Sequence, residues 1–160
     1  MILDADIPTA QDMRDLGVRL ARILAPGDLV VLDGPLGAGK TTLAQGIGAG
    51  LGIRGDVTSP TFVIARVHPS LGTGPALVHA DAYRVAGPLE IDDLDLDASV
   101  ADSVTIVEWG RGLVEGLAAD RLDIEISRTV AGESEVRQVR ITTQGRRWDG
   151  VELGELLGNR

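Results

Sequence analysis

The chain has 160 residues, 44% of them hydrophobic and 24% charged, which is the balance of one ordinary globular domain spanning residues 1–160. The absence of cysteine excludes disulfide scaffolds, thiolate metal sites and cysteine nucleophiles. A formal net charge of −9 disfavours an independent grip on nucleic-acid phosphates. No apolar run approaches the length of a membrane span, and the opening MILDADIPTAQD is acidic where a secretory signal is basic, so a cytoplasmic protein is expected.

In chain order, Thr9 is placed to cap a first helix. Met13, Leu16, Leu20, Ile23 and Leu24 recur at helical spacing and carry that helix to Ala25. Pro26-Gly27-Asp28 reads as a turn, and Leu29 to Leu32 as a short buried strand. Glycines follow, then a helix over about Lys40–Gly50. Phe62–Val67 and Ala76–Ala80 read as strands joined by a Gly/Pro loop, with His68 in that loop. The acidic stretch Leu89–Val100 reads as a short helix or as irregular chain. Thr105–Val107 is a further buried strand, and Arg111–Ala119 a helix. Leu122–Ser127 and Val136–Thr142 alternate in polarity, as the strands of a half-exposed antiparallel pair do. Leu153–Leu157 reads as a closing helix. Buried strands alternating with helices predict an α/β sheet with helices on both faces. Only four aromatics occur, Phe62, Tyr83, Trp109 and Trp148, so the core has to be aliphatic.

The strongest motif is Gly34-Pro-Leu-Gly-Ala-Gly-Lys-Thr41, which fits G-x-x-x-x-G-K-[ST]. Lys40 is the only lysine, and a chance match around it is on the order of 0.002, even in a chain with 21 glycines. The chemistry explains each position. Glycines let successive N–H groups turn toward phosphate oxygens, and the following helix adds its unpaired N–H groups and positive end. Lys40 supplies a point charge to the β- and γ-phosphates, and the Thr41 hydroxyl an oxygen for Mg²⁺. The fold expected from this motif is a P-loop NTPase-like three-layer sandwich, with a mainly parallel central sheet and antiparallel C-terminal strands.

Such a loop needs an acid at a neighbouring strand tip, for Mg²⁺ or its water shell. Asp81 ends one buried strand and Glu108 another. Both tips of an open α/β sheet face the ligand crevice, and the residues alone do not choose between them. His79 shares a strand face with Asp81 and is placed to position Asp81 or a water, or to be a satisfied core histidine. Tyr83 and Trp109 lie within two residues of these acids. Thr58–Thr61 has the hydroxyls of a γ-phosphate switch loop and equally the look of a proline turn. The guanine-reading N-K-x-D motif is impossible with a single lysine, so ATP is preferred over GTP. A small-molecule kinase usually needs an arginine-bearing lid; Arg111 and Arg121 could serve, but no arginine-rich lid stands out.

Taken together, Gly34-Pro-Leu-Gly-Ala-Gly-Lys-Thr-Thr42, Ser59-Pro-Thr-Phe62, His79-Ala-Asp-Ala-Tyr-Arg84 and Val107-Glu-Trp109 resemble the bacterial TsaE (YjeE) family, in order and over nearly the whole chain. Gly110 stands where many relatives have proline. The resemblance implies a small Mg²⁺-dependent P-loop ATPase, slow alone. It would serve the formation of N6-threonylcarbamoyladenosine beside the anticodon of tRNAs reading ANN codons, with its hydrolysis supporting turnover of TsaD and TsaB. It further implies that Gly37, Ala38, Gly39, Lys40 and Thr42 hold the nucleotide, that Thr41 and Glu108 hold Mg²⁺, and that Asp81 is essential to hydrolysis. Thr9 and Arg128 are weaker candidates for nucleotide contact. An acidic subunit of this kind meets tRNA only through its partners and meets neither DNA nor membrane. The alternatives are a small-molecule kinase, and an assembly subunit that senses nucleotide without needing hydrolysis.

Overall fold

A computed structural model of the chain describes residues 1–35, 37–55, 57, 65–81, 101–108, 119–128 and 135–157. Its order is β1 (Ile2–Ile7), α1 (Ala10–Ala21), β2 (Leu29–Asp33), α2 (Lys40–Leu51), β3 (Ala65–His68), β4 (Ala76–Asp81), β5 (Ser103–Glu108), β6 (Arg121–Arg128) and β7 (Arg137–Gln144). Two 3₁₀ segments follow, Arg146–Trp148 and Leu153–Leu157.

The strands form one sheet in the order β1-β7-β6-β2-β5-β4-β3. Its centre is parallel, with β2 between β5 and β6 and β4 beside β5. Both flanks are antiparallel: β6, β7 and β1 on one side, β3 against β4 on the other. The expected α/β class with a parallel centre and antiparallel C-terminal strands is therefore observed. The central strands β2 and β5 are buried almost throughout; β2 is an unbroken apolar run up to Asp33, while β5 also buries Ser103, Thr105 and Glu108. β6 alternates Leu122, Ile124 and Ile126 inward with polar residues outward.

Thr9 caps α1 as predicted: its backbone is extended and its hydroxyl accepts from Asp12 N at 3.1 Å. Met13, Leu16 and Leu20 of α1 and Leu43 and Ile47 of α2 join the inward residues of β4, β5, β2, β6 and β7 in one aliphatic core. Trp148 is the one aromatic in it among the described residues. The two helices cross at very short range, because a Cβ on Gly17 would lie 2.5 Å from the Leu43 carbonyl and 2.8 Å from Gly46 Cα. Both thus lie on the same face of the sheet. The helix expected at Arg111–Ala119 lies outside the described residues but for Ala119, as do Leu89–Val100 and Phe62–Ile64.

Several expectations need correction. Ile2–Ile7 is a strand, β1, where no element was predicted. Helix α1 stops at Ala21 rather than Ala25, because the chain tightens there: Ile23 N bonds Leu20 O, and Asp28 Oδ2 takes Ala25 N to close the turn. His68 belongs to β3 and is buried, not in the loop. Leu153–Leu157 is 3₁₀ rather than α. Arg121 is no lid residue, since it lies in β6 and pairs with Asp123 at 3.0 Å.

Candidate nucleotide site

The turn from β2 into α2 builds the site. Gly34 leaves the strand against β6, so close that a Cβ there would sit 2.5 Å from the Ile126 carbonyl, and only glycine fits without moving one of them. Gly39 takes the left-handed conformation (φ 114°) immediately before α2. The 12-residue helix therefore opens toward the loop, and its first N–H groups and positive dipole end face the same way.

Lys40 is folded back into its own loop. Its Nζ donates to Gly34 O at 2.6 Å and Pro35 O at 3.0 Å, and the residue is 6% exposed. Burial pushes its pKa below the ordinary lysine value. The carboxylates of Glu108, Asp33 and Asp81 pull in the opposite direction. An ammonium held among three acids and two carbonyls stays a local point charge, ready to exchange carbonyl oxygens for phosphate oxygens.

The two strand-tip acids come together as the parallel register demands. Glu108 is opposite Leu32 on one side and Asp81 on the other, so the tips of β2, β5 and β4 stand in a row beside the loop. Glu108 is buried, and its Oε2 meets His79 Nε2 at 2.9 Å. His79 thus serves Glu108, not Asp81 as the shared strand face suggested. Thr41 follows Lys40 in the first turn of α2.

A cavity of about 200 Å³ lies beside the loop, lined by Thr9, Met13, Gly37, Gly39, Thr42 and Arg137, with Ala10, Ala38 and Glu135 completing it. Register explains why Thr9 and Arg128, far apart in sequence, both belong here. Arg137 of β7 pairs with Ile7 of β1 on one side and Arg128 of β6 on the other, so the three strand ends meet at the loop. Arg128 Nη1 lies 3.7 Å from the position a Gly37 Cβ would take. Arg137 and Glu135 are additions the sequence did not disclose. The Thr58–Phe62 segment, Tyr83, Trp109, Gly110 and Arg111 lie outside the described residues.

These elements are also those of a known family. The family described as "Threonylcarbamoyl adenosine biosynthesis protein TsaE" matches residues 7–139, from the end of β1 into β7. The chain belongs to the TsaE family. A Streptomyces coelicolor protein named "tRNA threonylcarbamoyladenosine biosynthesis protein TsaE" is 61% identical over 148 residues, 91% of this chain and 100% of that one. A Bacillus subtilis TsaE of the same name is 42% identical over 130 residues, 81% and 78% of the two chains. The crystal structure of Bacillus subtilis YdiB superposes with a TM-score of 0.75 at 32% identity, covering 98% of this chain and 94% of that one. The TsaE match spans the loop, both strand-tip acids and Arg128 and Arg137. No helix among the described residues is long and apolar enough to cross a membrane.

Proposed function

We propose that the chain is a single-domain, Mg²⁺-dependent ATPase subunit of the machinery that forms N6-threonylcarbamoyladenosine on tRNA. The relatives' shared name supports the pathway. The observation that carries the ATPase reading is the buried Lys40 ammonium at the mouth of α2, with Glu108 and Asp81 acting on it from adjacent strand tips.

The residues fit the ligands this reading requires. Lys40, Arg128 and the start of α2 concentrate positive charge where a triphosphate would lie. The N–H groups of Gly37, Ala38, Gly39 and Thr42 belong to the same loop and first turn. Thr9, Arg137 and Glu135 line the adjoining cavity, large enough for part of a nucleoside. The hydroxyl of Thr41 and the carboxylate of Glu108 are hard oxygen donors of the type Mg²⁺ takes, and a phosphate-bound Mg²⁺ needs only one or two protein ligands. When bound, the metal would neutralise charge on the β- and γ-phosphates.

In this reading Lys40 would release the Gly34 and Pro35 carbonyls for phosphate oxygens, Glu108 would hold the metal or its water shell, and Asp81 would orient the attacking water. Turnover by the chain alone is expected to be slow, and its partners TsaD and TsaB would complete the site. tRNA is met through those partners, which suits a chain of charge −9. The test is ATP turnover by the full chain with and without TsaD and TsaB, and by Lys40→Ala. The expected result is partner-stimulated phosphate release that Lys40→Ala abolishes. Unchanged turnover by Lys40→Ala sinks the reading. Consumption of ATP only with an added metabolite acceptor points to a kinase instead.

A further inference from the structure

His79 is a buried polar group that the reading above leaves without a task. It stands in the middle of β4 with no exposure, opposite Ile106 of β5, so that Glu108 is its diagonal neighbour on the same sheet face. Its Nε2 meets Glu108 Oε2 at 2.9 Å. A carboxylate only accepts, so the imidazole donates from Nε2. Nδ1 is buried and has no hydrogen-bond partner among the described residues. The ring is therefore committed to one contact.

We infer that His79 is a positioning residue for the metal ligand. Its Nε2–H fixes one carboxylate oxygen of Glu108, which sets the rotamer and turns the second oxygen to the cation. This inference rests on the ATPase reading. Two physical arguments carry it. First, a carboxylate 4% exposed is costly to leave with an unsatisfied oxygen, and the imidazole N–H satisfies Oε2. Second, Glu108 is the last residue of β5, where the strand's own hydrogen bonds end and a long side chain has rotamers to choose from. His79 lies two residues inside β4, on rigid sheet, so the contact transfers the sheet's order to the strand tip. A hydrogen-bonded partner of this kind typically governs metal affinity by about 10- to 100-fold.

The test compares His79→Gln with His79→Asn in the full chain. Both bury a neutral amide, but only the longer glutamine brings an N–H donor to the position of Nε2. The readout is the free Mg²⁺ giving half-maximal binding of a fluorescent non-hydrolysable ATP analogue, with binding in EDTA as reference. His79→Asn should raise the half-saturating Mg²⁺ by about 10-fold or more, and His79→Gln should stay within about 3-fold of the unsubstituted chain. Equal shifts in the two variants, or none in either, overturn the inference. A second measurement needs no variant in the site. The chain has two histidines, so the imidazole nitrogens resolve in a ¹H–¹⁵N spectrum, with His68→Gln identifying the other ring. An Nε2–H tautomer at His79 supports the inference, and an Nδ1–H tautomer refutes it. If the unsubstituted chain binds no analogue with or without Mg²⁺, the ATPase reading fails first, and this inference falls with it.

Discussion

Gly17 is where the fold and the candidate site are most tightly joined, and replacing it with alanine has a calculable outcome. In an exposed helix interior Gly→Ala stabilises by about 1 kcal/mol through propensity alone. At Gly17 the new Cβ would lie 2.5 Å from the Leu43 carbonyl oxygen, 2.7 Å from Ile47 N and 2.8 Å from Gly46 Cα. All three are backbone atoms of α2 and cannot rotate aside. Real Cβ contacts essentially begin at 3.0 Å, so the helices must part by about 0.5 Å. A gap of that size forfeits about a quarter of the dispersion well for atoms facing it. Spread over Met13, Leu16, Leu20, Leu43 and Ile47 at about 0.5 kcal/mol each, the loss is about 2–3 kcal/mol. Net of propensity, Gly17→Ala should cost about 1–2 kcal/mol and lower Tm by about 3–8 °C. Thr9 and Met13, at the start of α1, line the same cavity as Gly39 and Thr42, at the start of α2, so nucleotide affinity should fall as well. The control is Gly154→Ala, where a Cβ meets nothing within 4 Å and φ is not positive. Thermal and urea unfolding of the two variants decide the matter. A Gly17→Ala protein as stable as the unsubstituted chain, or more so, would show that the helix contact yields without cost and refute the reasoning.

Arg147 grips Asp28 with Nε and Nη2, each at 3.0 Å, and adds a bond to Ile23 O at 2.8 Å, so Arg147→Met leaves a buried carboxylate short of its partner. It should cost about 2–3 kcal/mol by chemical denaturation, while surface changes nearby do not. His68 has its pKa held below the ordinary histidine value, by burial first and then by the charges of His79 and Arg66. The folded chain therefore binds fewer protons than the unfolded one near and just below pH 6.5, and stability present above that pH is lost as the pH falls through it. His68→Gln should flatten the fall of Tm between pH 7.5 and 5, by at most about 1.4 kcal/mol per pH unit, and an unchanged profile counts against it. Arg137→Met should weaken nucleotide binding by about 5- to 10-fold in a titration of the full chain, with its Mg²⁺ dependence unaltered, if the cavity receives part of the nucleoside.

The parts of this fold legible in the sequence are those whose signal is local. Thr9 followed by Met13, Leu16 and Leu20 states a capped amphipathic helix within one segment, and Leu29–Leu32 before the glycines states a buried strand. Strand β1 is different. Its Ile2, Asp4 and Asp6 face outward, while only Leu3, Ala5 and Ile7 face the core, a weak alternation that becomes a strand because β7 pairs with it in full register. The loop, Lys40 and the two acids could be read from motif and strand ends. Arg137 could not, because its place depends on the pairing of Ile7, Arg137 and Arg128 across three strands. His79 shows the limit of strand periodicity: it correctly put His79 and Asp81 on one face, but the partner is chosen across the sheet, where the register sets Glu108 within reach.

The single lysine follows from the same electrostatics. Asp33, Asp81 and Glu108 converge at the tips of β2, β4 and β5, and a cation among them offsets the repulsion between like charges. Lys40 is that cation before any ligand arrives, and the Gly34 and Pro35 carbonyls hold it there. In the proposed function, a bound phosphate would take over the ammonium and leave the acids in need of a new counter-charge, which a divalent metal would supply. Nucleotide and metal binding would then be coupled through one side chain. An arginine would serve poorly, because its wide planar fork cannot pivot between two carbonyls and a phosphate inside a closed loop. In a chain with 15 basic residues, that is a physical reason for lysine at position 40.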